Sequence, residues 1–343
     1  MLNGMTARGA LRTARASATQ CVPLLALLLL AFSLGAGFCA PAYGQSYPSK
    51  AIRIIVPYPP GGTTDVVARL VGQKLTDSWG QAVTIDNKSG GLGMIGAEAG
   101  ARAAADGYTL TLGNNSTHAA NAAMFDKPAI DLRKDVQAIA SAARSRHVLV
   151  VPIDSPYKSI KDLIEDGRRK PLVYASSSSG SASHLISEML KIRNTMNATH
   201  VPYRGVAPAL VDVISGQVQF MTATVGGVTQ HLQAGKLRAL AVTGSNRIKA
   251  YPDLPTFKEL GLDYLDADAW FVFYAPAGTA RAIVEKLSTE ISRIVGLPDV
   301  QEKLAGAGFE PLAMDLKEVE AFHQRELSRW IEMVQLVGVK ANP

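Results

Sequence analysis

Seven short aliphatic and β-branched runs, AIRIIV, AVTID, YTLTLG, HVLVVP, LVYASS, VQFMTA and RALAVT, recur along the chain with stretches of helical period between them. A strand that is followed by a helix before the next strand points to parallel sheets with crossover helices, hence an α/β architecture. In TDVVARLVGQKLTDSW the helical spacing places Val67, Leu70, Val71, Leu75 and Trp79 on one face, and SHLISEMLKI does the same with Leu185, Ile186, Met189 and Leu190. The segment DLKEVEAFHQRELSRWIEMVQL opens with Asp315 and Glu318 at capping-box spacing and turns Val319, Phe322, Leu327, Trp330, Ile331 and Val334 inward. No low-complexity linker interrupts this pattern, so two domains would have to be joined by short strands. The expected crossings are near His147 to Pro152 and near Ala267 to Val272. They give one lobe from residues 45–146 plus 268–343 and another from 147–267, with a ligand cleft between them.

The first 44 residues have the build of an export signal. Arg8, Arg12 and Arg15 precede an apolar run from Leu24 to Leu34, and Ala42-Tyr43-Gly44 offers a small-residue cleavage site before Gln45. The run is too short to span a membrane comfortably, and the bulky Phe38 before Cys39 argues against lipid attachment. Both cysteines, Cys21 and Cys39, fall inside this segment. The mature chain then has no thiol for a disulfide, a thiolate nucleophile or a cysteine zinc site. The 35 lysines and arginines, three of them in the signal, stand against 29 acids and leave a net charge near +3. Neither nucleic-acid nor membrane-surface binding follows from so mild an excess, and GRRK, Gly167 to Lys170, reads as a solvated helix end.

Chemistry is concentrated in two loops. In RIIVPYPPGGTTD, Arg53 to Asp65, a strand stops at Pro57, Pro59 and Pro60, Gly61 and Gly62 allow close backbone approach, and Thr63 or Thr64 can cap the helix that follows. The amides of Gly61, Gly62, Thr63 and Thr64 are then expected to face one small volume at a helix N-terminus, which suits an anion. Asp65 would repel that anion unless turned away, and reads as structural. The stretch LVYASSSSGSASHLISEML, Leu172 to Leu190, repeats the strand, loop and helix, with hydroxyls and amides from Ser176 to Ser183 around Gly180. Two such loops suggest a clamp that grips one ligand from both sides.

Rival chemistries lack support. GLGMIG, Gly91 to Gly96, matches a dinucleotide fingerprint, but the carboxylate expected about 20 residues on is replaced by TLTLGNNST. Its glycines read instead as helix-to-sheet packing. No two of the six histidines sit at metal-ligand spacing with a third ligand in reach, and there is no G-x-S-x-G elbow. His184 could serve Ser181 or Ser183 as a base, but a structural hydrogen bond at the helix start is the favoured role. No catalytic residue, metal or cofactor is expected.

The ordered series YPSKAIRIIVPYPPGGTTD, GLGMIGAE, DGYTLTLG, SSSSGSASHL, HVPYRG, GKLRALAVT, LPTFKELG and APAGTARAIVEKL resembles the Bug-type solute-binding proteins of tripartite tricarboxylate transporters over essentially the whole mature chain. The resemblance implies a two-lobed type II periplasmic-binding-protein clamp, a periplasmic location, and an organic carboxylate delivered to a membrane permease, with no enzymatic role. It implies carboxylate grips at Tyr58, Gly61, Gly62, Thr63 and Thr64 and at Ser177, Ser178, Ser179, Gly180, Ser181 and His184. Further contacts are implied at Thr117, Tyr203, Thr224 and Trp270. Two departures stand out: Ala223 replaces the family's usual aspartate after GQVQ, and the serine loop lacks the family's common asparagine. The missing acid, which in relatives can pair an ammonium group, favours a dicarboxylate or aromatic acid over an amino acid. A monomer without nucleic-acid partners is expected.

Overall fold

The computed structural model describes residues 47–203, 205–265 and 267–341, so the expected export segment and its two cysteines lie outside the described residues. The chain forms two sheets. In the first, β1 (Ile52–Val56) runs parallel to β2 (Val83–Asn87) and β3 (Thr109–Asn114), while β4 (Val136–Ser145) lies further across. The second holds β5 (His147–Pro152), β6 (Leu172–Ser176), β7 (Ala198–Pro202), β8 (Phe220–Thr224) and β9 (Leu237–Val242), in the order β7-β6-β8-β5-β9. The chain then returns to the first sheet as β10 (Ala269–Pro276) and β11 (Glu310–Pro311), completing the order β11-β4-β10-β3-β1-β2.

The crossover helices follow the sequence pattern closely. They are α1 (Thr63–Trp79), α2 (Met94–Ala101), the short α3 (Asn121–Met124), α4 (Ile160–Arg169), α5 (Ala182–Arg193), α6 (Val206–Ile214) and α7 (Val225–Gln233), then α8 (Arg281–Val295), α9 (Pro298–Gly306) and α10 (Leu316–Val337). In α1 the buried stripe is Val67, Ala68, Val71 and Leu75, and Gly80 ends the helix in the left-handed region while donating its N–H to the Thr76 carbonyl. The Asp315/Glu318 capping box forms at the start of α10. There the inward stripe is rotated from the expected one: His323 and Met333 are buried, whereas Phe322 and Ile331 are half-buried. The Gly91 to Gly96 segment is used for packing, as read from the sequence. A Cβ on Gly96 would lie 2.7 Å from the Pro57 Cα, and one on Gly100 would lie 1.8 Å from the Thr111 Oγ1.

Both sheets are mixed rather than wholly parallel. β10 is antiparallel to β3 and β4, and β5 is antiparallel to β8 and β9. A single residue, Arg146, separates β4 from β5, so the chain passes from the first sheet to the second without an intervening helix. β4 itself, VQAIASAARS, was not among the expected strands because it is rich in alanine, which favours helix. Its small side chains are buried almost throughout, with α8 and α10 both packed on the strand. At the passage between sheets Arg146 donates to the Thr243 carbonyl (3.2 Å) and pairs with Glu310 (Nε to Oε1 2.8 Å).

Candidate functional site

The strand β1 ends at Pro57, and the turn into α1 is fixed from behind by Asp65. Its carboxylate, 2% exposed, accepts from the Gly61 N–H (2.9 Å), the Arg69 Nε–H (2.9 Å) and the Asn87 Nδ2–H (3.0 Å). Asn87 also donates to the Tyr58 carbonyl (3.0 Å). Burial raises the Asp65 pKa, but the hydrogen bonds from Arg69, Gly61 and Asn87 more than reverse this and hold it below the usual carboxylate range. This arrangement corrects one expectation: the Gly61 amide is already engaged and cannot grip a ligand. Gly61 instead supplies the positive φ (83°) that turns the next amides outward. Neither threonine caps the helix. Gly62 is the N-cap, without a side-chain bond, and the amides of Gly62, Thr63 and Thr64 precede the first helical repeat and have no intrahelical acceptor.

The serine loop between β6 and α5 is tied in a comparable way. The Ser178 carbonyl accepts from the Ser176 Oγ (3.0 Å), the Ser181 Oγ (2.7 Å) and the Ser181 N–H (3.2 Å). Ser181 is the N-cap of α5, accepting from the His184 N–H, and the Gly180 N–H donates to the His184 Nδ1 (3.0 Å). His184 is therefore a structural acceptor, and the Gly180 amide, like that of Gly61, is engaged. Ser177 and Ser179 contribute hydroxyls that take no part in these internal bonds.

A third wall comes from the turn after β3. The Asn114 Oδ1 accepts from the Tyr58 Oη (3.1 Å), the Ser116 N–H (3.0 Å) and the Thr117 N–H (3.1 Å). Three donors on one oxygen fix the amide's orientation, and Asn114 lines the space between the loops. Burial pushes the Tyr58 phenol up to about 12, so it is a neutral donor at ordinary pH. A π-helical turn, Ser116–Ala120, follows, the kind of local irregularity often found at sites. The fourth contribution is Gly205, the N-cap of α6 (φ 115°), whose N–H donates to the Ser177 carbonyl (2.9 Å).

These parts enclose one cavity of about 620 Å³. Of the expected positions, Tyr58, Gly61, Gly62, Thr63 and Thr64 line one side, and Ser177, Ser178, Ser179, Gly180 and Ser181 line the other. Also lining it are Pro59 and Pro60, expected only as strand breakers, and Leu92, Asn114, Ser116, Asn121, Met124 and Gly205, which were not expected as contacts. Gly205 was legible in principle, since ATHVP, a glycine turn and a helix with Pro208 in its first turn repeat the construction of the other two loops. Asn114 was not, because its place in the wall depends in part on Tyr58, 56 positions away in sequence. Among the described residues the wall contains no acid, lysine, arginine or histidine.

The remaining expected contacts are elsewhere. Thr117 is fully buried one step behind the wall, its Oγ1 meeting the Asn114 N–H and the His118 ring. His184 lies beneath the serine loop. Tyr203 packs on the core of the second sheet and donates to Asp212, and Thr224 is the N-cap of α7. Trp270 is 1% exposed in β10, with its indole N–H on the Glu326 Oε2 (2.9 Å) and its ring edge-on to Phe322. It faces α10 and a separate cavity of 160 Å³, so it offers no stacking surface to a ligand in the larger one. Ala223 is also remote from the wall, buried in the second sheet's core opposite Val148. An acid there would enter the core rather than the cavity.

A family model described as the tripartite tricarboxylate transporter family receptor matches residues 67–339. The chain belongs to this family. Among solved structures, the chain is similar to the periplasmic binding protein BugD, with 30% identity, a TM-score of 0.73, and coverage of 86% of this chain and 99% of that one. It is similar to Rpa4515 of R. palustris with adipate, at 34% identity and TM-score 0.75, covering 85% and 98%. MatC from Rhodopseudomonas palustris with bound malate is 31% identical, with TM-score 0.72 and coverage of 84% and 100%. The two-lobed fold of these Bug-type receptors is the fold found here.

Proposed function

We propose that this receptor is exported to the periplasm, binds an organic carboxylate, favouring a dicarboxylate or aromatic acid, and hands it as a monomer to permease subunits without altering it chemically. The observation that carries the reading is a cavity at which two strand-to-helix loops from different sheets face each other, with no ionised side chain in its wall among the described residues. Helix dipoles contribute about 0.3–1 kcal/mol each, far below the roughly 8 kcal/mol of micromolar binding. Charge-assisted hydrogen bonds contribute about 1.5–3 kcal/mol each. Several amides and hydroxyls from both loops are therefore needed, as the two-sided wall provides. The bound adipate and malate of the similar structures accord with a ligand anionic at both ends. The case against an amino acid now rests on the wall, which among the described residues has no acid to pair an ammonium group, rather than on Ala223.

Calorimetry across adipate, malate, a benzoate and glutamate tests the ligand class. Tighter binding of glutamate than of every unaminated acid would overturn it. We take the lobes to divide near residues 146 and 268 and to close on the ligand, so small-angle scattering is expected to show a smaller radius of gyration with saturating ligand. An unchanged radius would indicate a preformed site. Asn114→Asp retains the oxygen that accepts the three donors but replaces the NH2 of this wall residue with a charged acceptor. It is expected to weaken carboxylate binding at least tenfold at nearly wild-type melting temperature. Undiminished affinity would remove Asn114 from the binding surface.

A further inference from the structure

Beneath the serine loop, out of the cavity, two imidazoles lie face to face. The His184 and His200 rings stack at 3.7 Å between centroids and 10° between planes, although one starts α5 and the other belongs to β7. Each holds a different end of the loop. His184 accepts the Gly180 N–H at Nδ1, which places its own proton on Nε2. The His200 Nε2 meets the Ser176 Oγ at 2.6 Å, and that oxygen bonds the Ser178 carbonyl. Because the serine has one proton to donate and spends it on the carbonyl, the consistent chain runs from His200 Nε2–H to Ser176 to Ser178.

We infer that the stacked pair is a positioning platform for the serine loop, and that a proton entering the stack releases the loop and lowers ligand affinity. This rests on the reading of the cavity as an anion site and adds its regulation. A proton on His184 Nδ1 turns the acceptor of the Gly180 N–H into a second donor, so that bond is lost. A proton on either ring disfavours a second proton on the other, because two imidazolium rings 3.7 Å apart repel.

The surroundings favour the neutral pair. Burial, with His200, brings His184 down to about 4; Glu188 opposes this and Lys191 assists it, and burial likewise lowers His200. From β6, Tyr174 stacks on both rings and donates to the Glu188 carboxylate, which Lys191 also holds at 2.7 Å. From β8, Thr222 meets Ser187 and Phe220 stacks on Tyr174, both uncharged. Met124 and Val339, likewise uncharged, approach the loop at Gly180. The neutral state therefore prevails at pH 7, and affinity falls as the medium is acidified through the lowered histidine range.

The test compares full-length exported protein with His184→Asn, whose side-chain oxygen accepts near the Nδ1 position but takes no proton, and with His184→Leu, which cannot accept. With adipate as the probe, His184→Asn is expected to bind within threefold of wild type at pH 7, and His184→Leu at least tenfold more weakly. The ratio of His184→Asn affinity to wild-type affinity should change little between pH 7 and pH 5 and rise at least threefold by pH 3.5, because His184 is held down to about 4. That ratio cancels the titration of the probe itself. Nuclear magnetic resonance of ligand-free wild type provides an arm independent of any ligand: the Gly180 amide resonance should move in step with the His184 ring nitrogens. Parallel affinity profiles, or a Gly180 amide that is indifferent to His184 titration, would overturn the platform. Failure of adipate to bind wild type at every pH would count against the carboxylate reading, while the amide arm would still decide the platform.

Discussion

Replacing Asp65 by alanine is expected to remove ligand binding, by at least a hundredfold, and to destabilise the protein by roughly 2–4 kcal/mol, the scale of losing charge-assisted bonds to a buried carboxylate. The side chain never touches the cavity. Its two oxygens gather the Gly61 amide, Asn87 and Arg69, and Asn87 in turn fixes the Tyr58 carbonyl. Without that anchor the Gly61 turn and the amides after it are no longer aimed, and Asn87 and Gly61 lose their acceptor. The Arg69 side chain, 55% exposed, is a weaker member; Arg69→Ala should cost under about 1 kcal/mol, in the range of solvent-exposed ion pairs. Chemical denaturation and calorimetry on the two variants check the ranking. If Asp65→Ala keeps ligand affinity, the Tyr58 to Thr64 loop is not a grip, and equal losses for both variants would mean that the ion pair alone sets the turn.

Local pattern carried the architecture, and non-local contact decided the details. The β-branched runs and helical stripes are strands and helices because their period matches the faces they bury. β4 escaped notice because its composition answers to the helices packed on it, not to strand propensity. The two loops were legible because proline, glycine and hydroxyl residues at a strand end have few alternative uses. Which of their amides remain available was not, since that depends on acceptors several residues away, Asp65 for Gly61 and His184 for Gly180. Trp270 illustrates the limit of a carried-over motif. Its position in β10 is set by the sheet, but the direction of its indole is set by Glu326 on α10.

Acidification from pH 7.5 to 4.5 is expected to lower the melting temperature by ten degrees or more before most carboxylates titrate. Burial, with a contribution from His323, holds His118 down to about 3, and burial holds His147 down to about 4 against its hydrogen bond to the Ala267 carbonyl. In the unfolded chain both return to about 6.5. Between those limits the unfolded state binds protons that the folded state does not, so stability is fully present above the unfolded value and is lost as the pH falls. Each such histidine contributes a slope of about 1.4 kcal/mol per pH unit, and the two together about 2.7. Two units below pH 6.5 this amounts to roughly 5 kcal/mol, comparable with the whole stability of many domains. His184, His200 and His323 are shifted in the same direction by burial. Asp65, depressed rather than raised, adds its loss only below the carboxylate range. Scanning calorimetry across the interval measures the slope, and His147→Asn, which keeps a donor for the Ala267 carbonyl but takes no proton, should flatten it. A melting temperature constant within about three degrees would mean that these histidines meet solvent or a compensating charge when folded.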